Sequence, residues 1–404
     1  MQTRDSRRVT LVLAFAGMGV TASVVPAVLP SLAADAGLPV SDYLDVVPAL
    51  FGGLFLGVLL STLLARFCPP HVILTTGAVL QFAGFASVAL AVASAHLVGA
   101  SVITGVGFGL AEASGSVLAR AVAAERTTSL LAALTGTVAA VAAICPLLLA
   151  LVLSDGNARL MVAAASLIHL LGAMLVLANR AAFRTPPAAT PSADGHTPER
   201  AALVLTVLVT GFALFLYVGV ETVFSGWSAV LAGELLQLDS ATAALGTSAF
   251  WALMAAGRFI AWLVLKSRLA PAAYLLINCG GAALVLVGTA ILAPGGGLLG
   301  AIGVSLTIVF LAPCYSLILG IGLSRMQLTD AARTTGLLVA AGAAGGSAIP
   351  LVILTLSEQP AGELVIAISG CLMLALSAVA SAPLIGRARG GVGQPSAAVT
   401  ADHG

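Results

Sequence analysis

Apolar stretches of about 20 residues, the length an α-helix needs to cross ~30 Å of hydrocarbon, recur from one end of this chain to the other. No other feature restricts the fold as severely. Inside a bilayer no water satisfies backbone N–H and C=O groups, so each stretch must bond within itself, and a segment of this length does so as a helix. Broken at charges, Gly/Pro and polar clusters, the sequence predicts twelve helices, over residues 9 to 33, 43 to 64, 71 to 93, 97 to 123, 129 to 153, 158 to 179, 201 to 231, 242 to 266, 270 to 293, 297 to 324, 334 to 357 and 362 to 385. Hydrophobic residues make up 60% of the chain and charged ones 8%, against about a quarter charged in soluble domains. The expected fold class is an all-α, multi-pass membrane protein, with the lipid bilayer as its main solvent.

Basic residues set the direction of threading. With both termini in the cytoplasm, the inner segments hold Arg4, Arg7, Arg8, Arg66, Arg120, Arg126, Arg180, Arg184, Arg200, Lys266, Arg268, Arg325, Arg333, Arg387 and Arg389, which is 15 of the 17 Lys and Arg residues. Arg159 and Arg258 are the other two. Dropping or adding one helix would destroy this asymmetry, so it supports both the count and the orientation; the expected location is the cytoplasmic (inner) membrane.

Several function classes are set aside. The net charge is +1 and the basic residues are scattered, which is not the concentrated footprint of a nucleic-acid binder. Cys68, Cys145, Cys279, Cys314 and Cys371 have no metal-ligand or CxxC spacing, and in apolar runs they read as small hydrophobes. "RDSRR" precedes an apolar run longer than a usual signal-peptide core, so it opens the first helix. Lys266, in "LVLKSRLA", lacks the glycines of a phosphate loop. "GVGFG", with Gly105, Gly107 and Gly109, follows no strand and reads as close helix packing through small residues. With no nucleophile and base pair in any span, neither an enzyme nor a cofactor is expected.

Residues 180 to 200, "RAAFRTPPAATPSADGHTPER", are Pro, Ala and polar residues without apolar periodicity, as in a flexible linker. They divide the chain into a six-helix half over 1–179 and another over 201–386, followed by a disordered cytoplasmic tail over 387–404. The halves echo each other. "ERTTSLLAAL" at 125 to 134 reappears as "ARTTGLLVAA" at 332 to 341, and "ARFCPPHVIL" has a counterpart in "KSRLAPAAYLL". Two pseudo-symmetric six-helix halves joined by a cytoplasmic linker resemble the major facilitator superfamily, and the resemblance implies a substrate site near midplane between them.

The ionisable residues within the spans are Glu112, His169, Glu221 and Arg258. A charge near the bilayer centre costs on the order of 2.5 to 3.5 kcal/mol, which makes each a functional candidate. At ~1.5 Å per residue, Glu112 lies about 12 Å from Arg120, and Arg258 is equally far from Lys266, so the two sit at similar depth. A carboxyl whose counter-charge approaches and withdraws takes up and releases a proton. Glu112 and Arg258 are therefore the expected proton-coupling pair, the alternative being a polar tie between helices. His169 falls on a helix that this topology places at the periphery, where a satisfied hydrogen bond is expected; the same topology demotes Gln81 and Asn278.

Three segments resemble the fucose, galactose and glucose proton symporters. "GLAEASGS" is similar to their acid-containing helix 4 pattern, with Glu112 on the acid and Ser116 where asparagine is usual. "YVGVETVFSGW" is similar to their helix 7 pattern and "AGRFIAWLVLKSRLAP" to their helix 8 segment, which puts Arg258 on the family arginine. The resemblance implies a cavity lined by helices 1, 4, 7 and 10, hence substrate contacts from Thr21, Ser116, Tyr217, Glu221, Trp227 and Tyr315, with Trp251 from helix 8. There are departures. Helix 1 has no acid or amide, and Ala65 stands where the superfamily loop between helices 2 and 3 carries aspartate.

Together these readings predict a monomeric secondary transporter working by alternating access, taking up a small sugar-like solute with protons. Efflux of an apolar drug or metabolite is the rival, favoured by a cavity without amides. A non-transporting receptor or scaffold is a rival of another class, and it leaves the two intramembrane charges unexplained.

Overall fold

The computed structural model describes residues 2–91, 93–122, 127–152, 157–183, 200–265, 269–293, 296–326, 328–357, 359 and 362–390, and every regular element among them is helical. The α-helices are α1 Gln2–Ala36, α2 Val46–Leu64, α3 Pro70–Leu90, α4 Ser94–Val122, α5 Thr127–Val152, α6 Ala158–Ala178, α7 Arg200–Gly226, α8 Ser228–Leu236, α9 Ser240–Ala243, α10 Leu245–Leu265, α11 Pro271–Leu292, α12 Gly297–Leu311, α13 Cys314–Leu323, α14 Leu328–Leu356 and α15 Glu363–Gly390. Among the described residues, eleven helical segments are long and apolar enough to cross a membrane. The span expected over 129 to 153 falls on α5, a helix of 26 residues.

Two expected helices are broken. The one predicted over 201 to 231 becomes α7 and α8, with Trp227 at φ −107°, ψ 17° between them. The one predicted over 297 to 324 becomes α12 and α13, interrupted at Ala312 and Pro313; proline has no N–H to continue the ladder and its ring collides with the preceding turn. Proline alone does not dictate a break, because α1 runs through both Pro26 and Pro30. At the chain's divisions, Arg180–Phe183 forms a 3-10 turn and α15 continues to Gly390, into residues expected to be tail. The rest of the expected linker (184–199) and tail (391–404) lies outside the described residues.

Glycine lets α4 wedge between α2 and α3. A Cβ on Gly105 would run into the Leu50 carbonyl, and one on Gly109 into the Leu54 carbonyl, both on α2. Gly107, two residues from each and so on another face of the helix, meets Gly77 and Gln81 of α3 instead. The "GVGFG" stretch is thus a packing device serving two neighbours. Helices from early and late in the chain then meet as α2 with α14, α5 with α10, and α1 with α8. Many apolar side chains face outward, among them Leu90, Leu284, Leu292 and Leu298, a surface suited to lipid rather than water.

Candidate functional site

Where these early and late helices converge they enclose a cavity of about 210 Å³. Its walls are mostly apolar, with Val47, Leu50, Phe51 and Leu54 from α2, Phe108 from α4, Val218 from α7, and Val339 and Ala343 from α14. Into this greasy space project Glu112, Glu221, Ser225, Trp251, Arg258 and Tyr315.

Glu112 comes from the middle of α4 and is half-buried. Three residues on, Gly115 sits so close to the Phe15 ring that a Cβ would lie 2.8 Å from its Cε2. That contact fixes which side of α4 faces α1 and the cavity. The Glu112 carboxyl has no hydrogen bond among the described residues.

Glu221 is in a different setting. Tyr217, one turn earlier on α7, lies beside it, and Arg258 is within electrostatic reach. Arg258 donates its Nε–H to the Ala312 carbonyl at 3.4 Å, a long bond. It reaches that oxygen because Gly257 presses α10 onto α12: a Cβ there would stand 2.6 Å from both the Val309 oxygen and the Ala312 Cβ. The helix break at Ala312 and Pro313 therefore positions the arginine as well as Tyr315, which follows two residues later. Tyr315 packs against Tyr217, ring centroids 6.2 Å apart, and lies within electrostatic reach of Glu112, Glu221 and Arg258. Trp251 meets Phe250 edge to face at 5.3 Å, and its Nε1–H has no acceptor among the described residues.

The cavity brings together Glu112, Arg258, Glu221, Trp251 and Tyr315, with Arg258 within electrostatic reach of Glu221. Four expected substrate contacts are not on the cavity wall. Thr21 is wholly buried and donates to Gln81 Oε1 at 2.7 Å, with His169 Nε2 3.4 Å from its hydroxyl; it ties α1 to α3 and α6. Tyr217 is likewise wholly buried, behind Glu221 and Tyr315. Trp227 is buried and donates Nε1–H to the Leu44 carbonyl at 3.1 Å, which ties the α7–α8 break to the segment just before α2. Ser116 is half-buried on α4 and does not reach the wall. Sequence reasoning missed Ser225 and Phe51. Ser225 had a signal, since it lies one helical turn from Glu221 on the same face; Phe51 had none, because helix 2 is not among those the resemblance places at the cavity.

A second bond between early and late helices runs from Ser347 Oγ on α14 to the Pro48 carbonyl on α2 at 2.8 Å. Beside it, Gly226 packs on Val47, leaving no room for a side chain.

No protein-family profile matches the chain, and no curated protein matches it. Solved structures do. A peptide transporter POT in complex with sulfate is 18% identical, with a TM-score of 0.75 over 94% of this chain and 95% of that one. A D-xylose-proton symporter is 15% identical, TM-score 0.73, over 93% and 96%, and a mutant of the nucleoside transporter NupG is 9% identical, TM-score 0.69, over 93% and 99%. These neighbours have the major facilitator fold, and this chain shares it.

Proposed function

We propose that this chain is a proton-coupled secondary transporter that takes up a small sugar-like solute by alternating access, residues 1–179 rocking against residues 201–386. The observation that carries the reading is Glu112, a carboxyl on the wall of a mostly apolar cavity with no hydrogen-bond partner among the described residues. An ionised carboxylate is costly to enclose in such a space, whereas a protonated one is not. A carrier that closes around Glu112 therefore closes more easily when it carries a proton. One proton entering with the solute supplies ~2.3 kcal/mol per 100 mV of membrane potential, plus the pH gradient.

The remaining cavity groups suit a polyol. Arg258 and Glu221 offer donors and acceptors, Ser225 and Tyr315 add hydroxyls, and the Trp251 indole N–H has no acceptor of its own among the described residues. Aromatic faces cover a sugar ring's apolar side, and its hydroxyls must find partners because burying them unpaired is costly. A second reading, proton-driven efflux of an apolar compound, is favoured by Leu50, Phe51, Leu54 and Phe108 on the same wall.

Purified protein in liposomes with an imposed proton gradient tests both. Pentose or hexose accumulation that a protonophore abolishes is the expected result. Gradient-driven expulsion of lipophilic dyes, with no sugar accumulated, selects the second reading, and gradient-driven flux of neither class contradicts both.

A further inference from the structure

A second hollow, of about 260 Å³, opens at the end of the bundle where α7 and α11 begin and α13 ends. Its walls include Leu205, Val209, Leu275, Ile318 and Leu376, and the one charged side chain among the described residues lining it is Arg325. The arginine is exposed and lies just beyond α13, and no carboxylate lines the groove among the described residues. The Thr206 hydroxyl is already committed to the Ala202 carbonyl at 2.8 Å. The groove is open along its side, since Leu205 and Val209 are both exposed. Its floor is where α13 touches α7, at Gly322 against Thr210.

An apolar trough with a guanidinium at its mouth and no carboxylate among the described residues on its wall, at the level where membrane helices start and stop, matches a ligand with a long apolar tail and an anionic head. We propose that this groove holds one acyl chain of an anionic phospholipid whose phosphate rests on Arg325. A phosphate offers paired oxygens to the planar guanidinium fork. Because α7 carries Glu221 and α13 carries Tyr315, the lipid stands between two helices of the central cavity and links membrane composition to the packing around it. The proposal does not depend on what the cavity transports.

The test uses the full chain in detergent, with phosphatidylglycerol and phosphatidylcholine of identical chains, read by native mass spectrometry and by the thermal unfolding midpoint. Phosphatidylglycerol is expected to be retained about fivefold better, the preference that one basic residue near a membrane surface provides. Arg325→Gln erases that preference, Arg325→Lys keeps part of it, and Arg180→Gln, at another exposed arginine, leaves it intact. Val209→Trp, which fills the trough, lowers retention of both lipids. Inorganic phosphate at millimolar concentration gives no stabilisation, because the chain is needed. A preference that survives Arg325→Gln overturns the proposal, and so does equal stabilisation by inorganic phosphate, which would mark a simple anion site.

Discussion

Glu112→Gln is expected to leave solute exchange across the membrane intact and to abolish accumulation. At 100 mV one coupled proton supports a solute ratio of about 50-fold; in the variant the ratio falls to about one. Glutamine keeps the size and the hydrogen-bonding groups of the side chain but cannot carry a proton, so occlusion no longer depends on protonation. The check is a pair of assays on one preparation: uptake driven by an imposed potential, and counterflow with equal solute on both sides. Undiminished driven accumulation would move the proton site away from Glu112, and Glu221, the other cavity carboxyl, would be next to examine. Loss of counterflow as well would mean that Glu112 holds solute rather than protons.

Gly109→Leu is expected to cost the fold ~3 kcal/mol or more, the upper end of what overpacking does. The atoms a side chain would meet there are the Leu54 carbonyl and the Val58 nitrogen of α2, which are backbone and cannot rotate aside. Gly136→Leu on α5, where nothing lies within 4 Å, is the matched control and should be neutral. Thermal unfolding in detergent, together with the monodisperse fraction, checks both. A Gly109→Leu protein as stable as the parent would show that α4 is not wedged against α2.

Much of the architecture was readable because hydropathy reports length along a helix, and bilayer thickness turns length into topology. The breaks at Trp227 and Pro313 were invisible to it. A broken helix has the same composition as a straight one, and α1 shows that proline can lie within an unbroken helix. Depth was legible as well, since it follows from rise per residue: Glu112 and Arg258 do open onto one cavity. Rotation about each helix axis was not, because it depends on which neighbour packs where. Hence Thr21 turns towards Gln81 and His169, and Trp227 is an internal tie. Cys279 and Cys314 make the same point. Their spacing suggested no relation, yet their sulfurs lie 3.9 Å apart across α11 and α13. Residue spacing reports contacts within a helix; contacts between helices are set by packing, which here runs through glycines.

Alternating access itself can be measured before any solute is known. Spin labels at Leu38 and Leu236, both exposed near the Trp227 end, form one pair, and labels at Phe67 and Ser324, exposed at the opposite end, form another, in a background lacking the five native cysteines. Pulsed electron–electron distances are then recorded between pH 5 and 8 with and without candidate solutes. The account predicts opposite movements: as the Leu38 to Leu236 distance grows, the Phe67 to Ser324 distance shrinks. Two distances that stay fixed across every pH and solute, or that lengthen together, would contradict it.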